Sequence, residues 1–495
     1  MSELQDLVAL IRADTPLIVI ETRDEPGAVA LFRQSLRHVW RAMYRWSITE
    51  GLRRIDLDRE DEPDGAADVG TLLRAIRGAE QRGVYLLLDV HPYLDVAGTR
   101  RQLRDLLQRR ECLPHVIVLV GHRVELPDEL EAMAVRYAPR LPDQAALLRV
   151  VREVASAYAA EHGGRRVETN EQVVQRIVRN LQGLSLPDAQ RIARHLVFDD
   201  GVLCESDLPK LQKLRFELLN RSGHLHFEYD TARFGDVAGA RRLKRWVEQR
   251  RRVFVEGDAP PGLDPPRGVL LLGVQGCGKS VLAKAIAGGF GVPLVRLDFG
   301  TLYNKYHGET EANLRAALAS TEQLAPCVLW IDEIEKGLAA STGGEDGGVS
   351  RRVLGYLLTW MAERKSKVFL VATANQVHEL PAELLRKGRF DEIFFVDLPV
   401  AEVRREVFAL HLTSRGFDPA NFDLDALAAA SEGFSGAEIE QAIVSALYAA
   451  HAADAPLGDF GLRAELRQTR PLSVVMREQV DGLREWAATR TVPAD

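Results

Sequence analysis

The stretch "LLLGVQGCGKSVLAKAIA", Leu270 to Ala287, passes from an apolar run through a glycine-rich turn into helical spacing. The apolar run reads as a buried strand, "RGVLLLG", and "SVLAKAIAGGF" as the helix after it. Between them Gly273-Val274-Gln275-Gly276-Cys277-Gly278-Lys279-Ser280 fits G-x-x-x-x-G-K-[ST], in the strand-turn-helix setting that this spacing requires. Glycines there let successive backbone N–H groups curl around a polyphosphate, and the helix start adds its positive end. Lys279 is expected to reach the outer phosphates, and the Ser280 hydroxyl to hold Mg²⁺.

Phosphate binding alone is not hydrolysis, and a second signal follows. In "PCVLWIDEIEK" an apolar strand, Val328 to Ile331, delivers Asp332 and Glu333 at its C-terminal end, where ligands sit in parallel α/β sheets. Asp332 is placed to orient the Mg²⁺ shell. Glu333 is placed to polarise the attacking water, since phosphoryl transfer is catalysed mainly by positioning and charge. A third strand, "KVFLVATANQ", ends in Thr373-Ala374-Asn375. Asn375 falls between the acidic pair and the terminal phosphate, a place for an amide that orients water. Downstream, "LPAELLRKGRFDEIFFVDLP" sets Arg386 and Arg389 three apart, either on a solvated turn or as guanidinium groups supplied to a neighbour's γ-phosphate.

Composition limits the remaining choices. A chain of 495 residues, 46% hydrophobic, has material for about three or four compact units. Lys and Arg number 64 against 71 Asp and Glu, a net charge of −7, so no global positive field draws the chain to nucleic acid or anionic lipid. Only local basic patches stay open. Cys112, Cys204, Cys277 and Cys327 are scattered without metal-ligand spacing and read as reduced thiols. "MSELQDLVALIRADTP" has acidic residues where an export signal needs a basic start, and no apolar run reaches the length of a membrane span. A soluble, cytoplasmic protein is expected.

On these residues the second half of the chain resembles the AAA+ superfamily of ATPases, in the group of katanin-, spastin- and FtsH-like enzymes. "RFGDVAG", Arg233 to Gly239, is similar to the lead-in segment of that group, "GETEANLRAAL" and "RKGRFDE" to its second region of homology, and "SEGFSGAEIEQAI" to the first helices of its C-terminal lid. The resemblance implies ATP and Mg²⁺ as cofactors. Asp236, Val237 and Gly239 would lie against adenine, and Gly273, Gln275, Gly276, Cys277, Gly278, Lys279, Ser280 and Val281 around the phosphates. Arg386 and Arg389 would be arginine fingers acting on the adjacent subunit. In "LYNKYHGETE" it implies a pore loop at Tyr306, His307 and Gly308, where an aromatic ring grips an extended polypeptide without reading its sequence. The lid stretch Ser435-Gly436-Ala437-Glu438 carries no arginine for the nucleotide, and the chain contains no H-E-x-x-H pair, so an FtsH-like peptidase is not expected.

Aligned with itself, the chain repeats. "HVIVLVGHRVELPDELEAMAVRYAPRLPD" parallels "KVFLVATANQVHELPAELLRKGRFDEIFFVDLP", "GVYLLLDVHP" parallels "CVLWIDEIEK", and "LQGLSLPDAQRIARHLV" parallels "SEGFSGAEIEQAIVSAL". The shared order implies duplication of a whole ATPase-plus-lid unit. The chemistry did not survive in the first copy. After the strand "TPLIVIE" stand Glu21-Thr22-Arg23-Asp24-Glu25-Pro26-Gly27, acidic and without lysine, where carboxylates would repel phosphate. Asp89 remains at a strand end, with Val90 at the place read as that of the water-polarising carboxylate.

The fold class expected is α/β, a P-loop NTPase (AAA+) parallel sheet with a helical lid, duplicated, the N-terminal copy degenerate. Its divisions would be 1–144 (degenerate AAA-like domain), 145–228 (its lid-like helices), 229–400 (active ATPase domain) and 401–495 (lid and C-terminal helix). This layout resembles the two-copy AAA ATPases first described as a hypothetical reading frame of chloroplast genomes. The resemblance implies a homo-oligomer, a ring of six, that remodels or unfolds a protein substrate. A substrate or adaptor could dock on the degenerate domain, with no membrane involved and nucleic acid disfavoured by charge. Two other readings stay open: a nucleic-acid motor or loader, and an ATP-dependent assembly switch or scaffold.

Overall fold

The computed structural model describes all residues except 1–2, 23, 58–67, 109–113, 221–222, 230–231, 303–308, 339–346 and 387, and gives backbone alone at 3, 309 and 347–350. Tyr306, His307, Gly308, Arg23 and Cys112 therefore lie outside the described residues. The chain divides into two compact units, Met1–Leu211 and Gln212–Asp495.

In the first unit, strands β1 (Leu17–Glu21), β2 (Ala42–Ser47), β3 (Gly51–Arg54), β4 (Gly83–Leu88), β5 (Val116–Gly121) and β6 (Ala134–Arg136) form a sheet ordered β3-β2-β4-β5-β1-β6. A short parallel pair, β7 (Glu168–Thr169) and β8 (Val202–Leu203), lies among the helices that follow. In the second unit, β9 (Leu225–Glu228), β10 (Gly268–Gly273), β11 (Leu294–Leu297), β12 (Cys327–Ile331), β13 (Val368–Ala374), β14 (Glu392–Val396) and β15 (Val492–Pro493) are ordered β15-β14-β10-β13-β12-β11-β9.

Both sheets share one threading. β6-β1-β5-β4-β2 and β14-β10-β13-β12-β11 are parallel throughout and run fifth, first, fourth, third, second in their own chain order. An antiparallel strand closes the same edge of each, β3 on β2 and β9 on β11. It comes from different places in the chain: β3 follows β2 through a hairpin, whereas β9 precedes β10. The strands are continuous apolar runs because helices cover both faces. Leu17, Val19, Ile117 and Leu119 enter one core of the first unit, and Ile18, Ile20, Val118 and Val120 the other, as the two-residue period of a strand requires.

The helical parts repeat as well. Gly183 (φ 86°) and Gly433 (φ 80°) adopt the left-handed conformation that favours glycine. Each is followed by a buried apolar residue, Leu184 or Phe434, and then by a serine, Ser185 or Ser435, that caps the next helix (Leu186–Asp200 or Gly436–Ala452). The fold is thus a duplicated α/β sheet-plus-lid unit.

Two expectations need correction. Leu225–Glu228, counted at the end of the first copy's lid, instead form β9, which pairs with β11 (Leu294↔Glu228 to Leu297↔Leu225) and belongs to the second sheet. The reading of Asp89 and Val90 also shifts by one residue. Asp89 (φ 48°) and Glu333 (φ 47°) share a left-handed backbone that side-chain-bearing residues rarely adopt. Val90, 2% exposed, takes the buried place of Ile334. Asp89 is thus the counterpart of Glu333, and Leu88 of Asp332.

No helix among the described residues is long and apolar enough to cross a membrane. β15 was not foreseen. After the helix Arg477–Ala488 the chain returns to the sheet, where Phe394 pairs with Val492 and Phe395 with Pro493. The Ala494 carbonyl accepts the N–H groups of Arg242 and Leu243 at the start of the helix Arg241–Arg251, and Ala494 itself is 4% exposed.

Phe369, fully buried on β13, packs against Phe290 and Phe254 with ring centroids 5.0 and 5.7 Å away. Phe369→Ala is expected to cost the second unit about 3–5 kcal/mol. Urea-dependent proteolysis should show early cleavage confined to residues 212–495; equal loss in the first unit would contradict the division.

Candidate nucleotide-binding site

The second unit assembles its site where β10, β12 and β13 end side by side. After β10 the chain turns through Gly276 (φ 79°) and Gly278 (φ 84°) into the helix Lys279–Phe290. Both left-handed positions call for glycine, and a Cβ at Gly278 would meet nothing within 4 Å, so the turn is open there. Lys279 begins the helix and is only 7% exposed. Its Nζ donates to the carbonyls of Gly273 and Val274, both at 2.8 Å. Burial pushes its ammonium down to about 8, and Glu335, Asp332 and Glu333 oppose that shift. Cys277 beside it is an inert neighbour, since burial pushes its thiol up to about 12. Gln275 and Val281 are exposed, and Ser280 is partly exposed.

The acidic pair is fixed by β13. Thr373 Oγ1 donates to Asp332 Oδ1 at 2.5 Å and accepts the Glu333 N–H at 2.9 Å. Asn375 Nδ2 donates to Glu333 Oε1 at 2.9 Å, and Lys336 Nζ to Glu333 Oε2 at 2.6 Å. Both Glu333 oxygens are therefore engaged. Asn375 and Glu333 are brought together; Thr373 and Lys336 are partners the sequence did not single out. A lysine three residues beyond Glu333 on the next helix turn was the available signal for Lys336.

The lead-in segment and the lid close around this edge. Asp236 Oδ2 accepts the N–H of Arg233, the Val237 carbonyl accepts from Lys244, and the Gly239 N–H donates to Glu406 of the lid helix Ala401–Ser414 at 2.8 Å. Ser435 and Glu438 form a reciprocal capping box at the start of the helix Gly436–Ala452. From the same turn the Ala437 N–H donates to the Gly276 carbonyl at 3.1 Å. The lid thus touches the phosphate-loop turn itself.

The two arginines part company. Arg389 Nη1 donates to the Leu358 carbonyl of the helix Gly347–Glu363 within the same chain. Arg386 is exposed, and no side-chain partner for it is found among the described residues.

The first unit's corresponding edge is filled by its own side chains. Asp24 accepts the Gly27 N–H at 2.8 Å and caps the helix Glu25–Ser35, so a resident carboxylate sits at the helix start where a phosphate would sit. Glu21 Oε1 accepts from the Val124 N–H at 3.0 Å and from Arg136 at 2.9 Å, and Arg136 also binds Glu131. Burial, with Asp89 close by, raises the Glu25 carboxyl above its ordinary range. Among the described residues of that loop, Glu21, Asp24 and Glu25 present carboxylates, which would repel a polyphosphate.

Four segments of the chain match known families. Residues 269–398 match the family described as the ATPase family associated with various cellular activities (AAA), and residues 421–458 match the AAA+ lid domain. Residues 3–138 match the N-terminal domain, and 145–222 the second domain, of SpoVK-like AAA ATPases. The chain is 32% identical over 494 residues to the AAA domain-containing protein ycf46 of Pyropia yezoensis, covering 98% of both chains. It is 31% identical to its namesake in Trieres chinensis, covering 98% of this chain and 96% of the relative. Similarity to an ATPase family protein 2 homolog of Caenorhabditis elegans, 33% over 218 residues, covers 43% of this chain and 30% of that one. With nearly its whole length shared with the ycf46-like proteins, the chain belongs to the AAA+ ATPases, with SpoVK-like domains ahead of a single AAA domain and lid.

Proposed function

We propose that the second unit binds and hydrolyses Mg·ATP at the edge formed by β10, β12 and β13, while the first unit serves as a nucleotide-free scaffold. The carrying observation is the hydrogen-bonded set Asp332, Thr373, Glu333 and Asn375 beside the buried Lys279 ammonium. The residues suit the ligands. A glycine turn with open space at Gly278 adjoins a buried cation, and Ser280 and Asp332 are hard oxygen donors of the kind Mg²⁺ takes. When bound, Mg²⁺ would neutralise charge developing on the phosphates. Lys279 would exchange its two carbonyl partners for phosphate oxygens. Glu333, released by Lys336, would orient and polarise water, with Asn375 holding that carboxylate or turning toward the terminal phosphate. Asp236, Val237 and Gly239 form the adenine side, closed by the lid through Glu406.

The site would be completed between subunits of a ring, in keeping with six copies. Arg386 is the better finger, being exposed and without a side-chain partner among the described residues, whereas Arg389 would brace the finger segment from behind. The work performed would be remodelling of a protein substrate threaded past Tyr306, His307 and Gly308. Substrate or adaptor would dock on the first unit, in the cytoplasm.

Glu333→Gln should retain ATP and hydrolyse it at least about a hundredfold more slowly, and the trapped complex should co-purify with substrate protein. Undiminished turnover would refute the assignment. Arg386→Ala should lower kcat by about a thousandfold with nucleotide binding intact, and inactive Lys279→Ala subunits mixed with it should restore part of the rate. A low ammonium pKa also fixes a pH response. Above about 8 the free protein's Lys279 is neutral and must take up a proton to bind phosphate. The affinity for a non-hydrolysable ATP analogue should therefore fall about tenfold from pH 7 to pH 9. Calorimetry over that range checks it, and a flat profile would contradict it.

A further inference from the structure

One buried acid beside the site takes no part in the scheme above. Glu335 lies two residues beyond Glu333, in the first turn of the helix Ile334–Leu338, and is 1% exposed. Its Oε1 accepts the backbone N–H of Asn375 at 2.8 Å, and its Oε2 is buried with no hydrogen-bond partner among the described residues. Acidic side chains are rarely this deep unless they do something specific, because an unmatched buried oxygen is destabilising.

The geometry around Asn375 suggests what that is. β13 ends at Ala374, so Asn375 is the first residue beyond the ladder and its N–H needs another acceptor. Glu335 supplies it, while the side-chain amide of the same asparagine donates to Glu333 Oε1 at 2.9 Å. The short segment 333–335 therefore grips Asn375 at two points, its main chain from behind and its amide from in front. With the main chain pinned, the amide can rotate between partners and return to the same place.

We infer that Glu335 is a positioning residue, anchoring the backbone of Asn375 so that its amide can pass between Glu333 and the terminal phosphate of the nucleotide. The inference rests on the ATPase reading of this site. What the anchor needs is an acceptor oxygen of the right reach, not a negative charge. Burial raises the Glu335 carboxyl above its usual range, in keeping with that requirement.

Two substitutions separate reach from charge and from packing. Glu335→Gln keeps the acceptor and removes ionisation; Glu335→Met keeps length and volume, removes both oxygens, and suits the apolar burial. Steady-state hydrolysis, binding of a non-hydrolysable ATP analogue and thermal unfolding are measured for both beside the unaltered chain. The Gln variant should stay within about twofold of the unaltered kcat, while the Met variant loses about tenfold or more, with analogue affinity and melting temperature unchanged or improved. Full kcat in the Met variant overturns the inference. So does a Gln variant as impaired as the Met one, or a loss of binding and stability parallel to the loss of rate. Absence of turnover in the unaltered chain would instead refute the ATPase reading, and the inference with it.

Discussion

A buried ammonium organises the second unit. Lys279 is nearly removed from water, and the two main-chain carbonyls that accept from it belong to the turn it follows. Such a cation is tolerable only if the turn presents its carbonyls inward, and the turn can do so only with glycine at its left-handed positions. The strand β10 must then stop where it does, and the helix must begin at the lysine. Asp332, Glu333 and Glu335, at and just beyond the end of β12 on the far side of β13, favour the charged form. The site is therefore a property of adjacent strand ends in a parallel sheet.

The first unit shows the same scaffold relieved of that constraint. Its strands keep the threading and the two-faced burial, so its core needs nothing from a ligand. At the helix start Asp24 supplies internally the negative charge that a phosphate would bring, and Glu21 is tied to Arg136 and the Val124 N–H. Loss of the lysine and glycines was thus accompanied by internal satisfaction of the polar groups left behind. The surviving Asp89 retains even the unusual backbone of Glu333, a trace of the shared scaffold.

Much of this could be read from the residues alone, for physical reasons. Gly273 to Ser280, the acidic strand end and Asn375 are local signals, set by a turn, a strand edge and a charge, and in the folded chain Thr373 bonds Asp332 and Asn375 bonds Glu333. What escaped was non-local. β9 and β15 are short edge strands whose pairing is decided by vacant hydrogen-bonding positions on a distant strand. Arg389 reads as a surface residue in a polar turn, yet it is drawn inward by the Leu358 carbonyl. Glu335 sits within an acidic run whose members look alike; only the register of the following turn sends one of them into the core. The one-residue shift at Asp89 has a similar source, since backbone handedness leaves no mark in residue type.

The return of the chain through β15 alters what kind of part the lid is. Its polypeptide leaves the sheet after β14 and rejoins it at the neighbouring strand, and Arg484 on the closing helix binds Asp397 at the point of departure, 2.9 Å away. Topologically the lid is an insertion between two adjacent strands, not a pendant domain. A body fastened at two separate places, like a door on a pair of hinges, keeps one soft rotation about the line joining them and stiffens against the rest. A rotation of the lid against the sheet would be guided about that line by the covalent path of the chain.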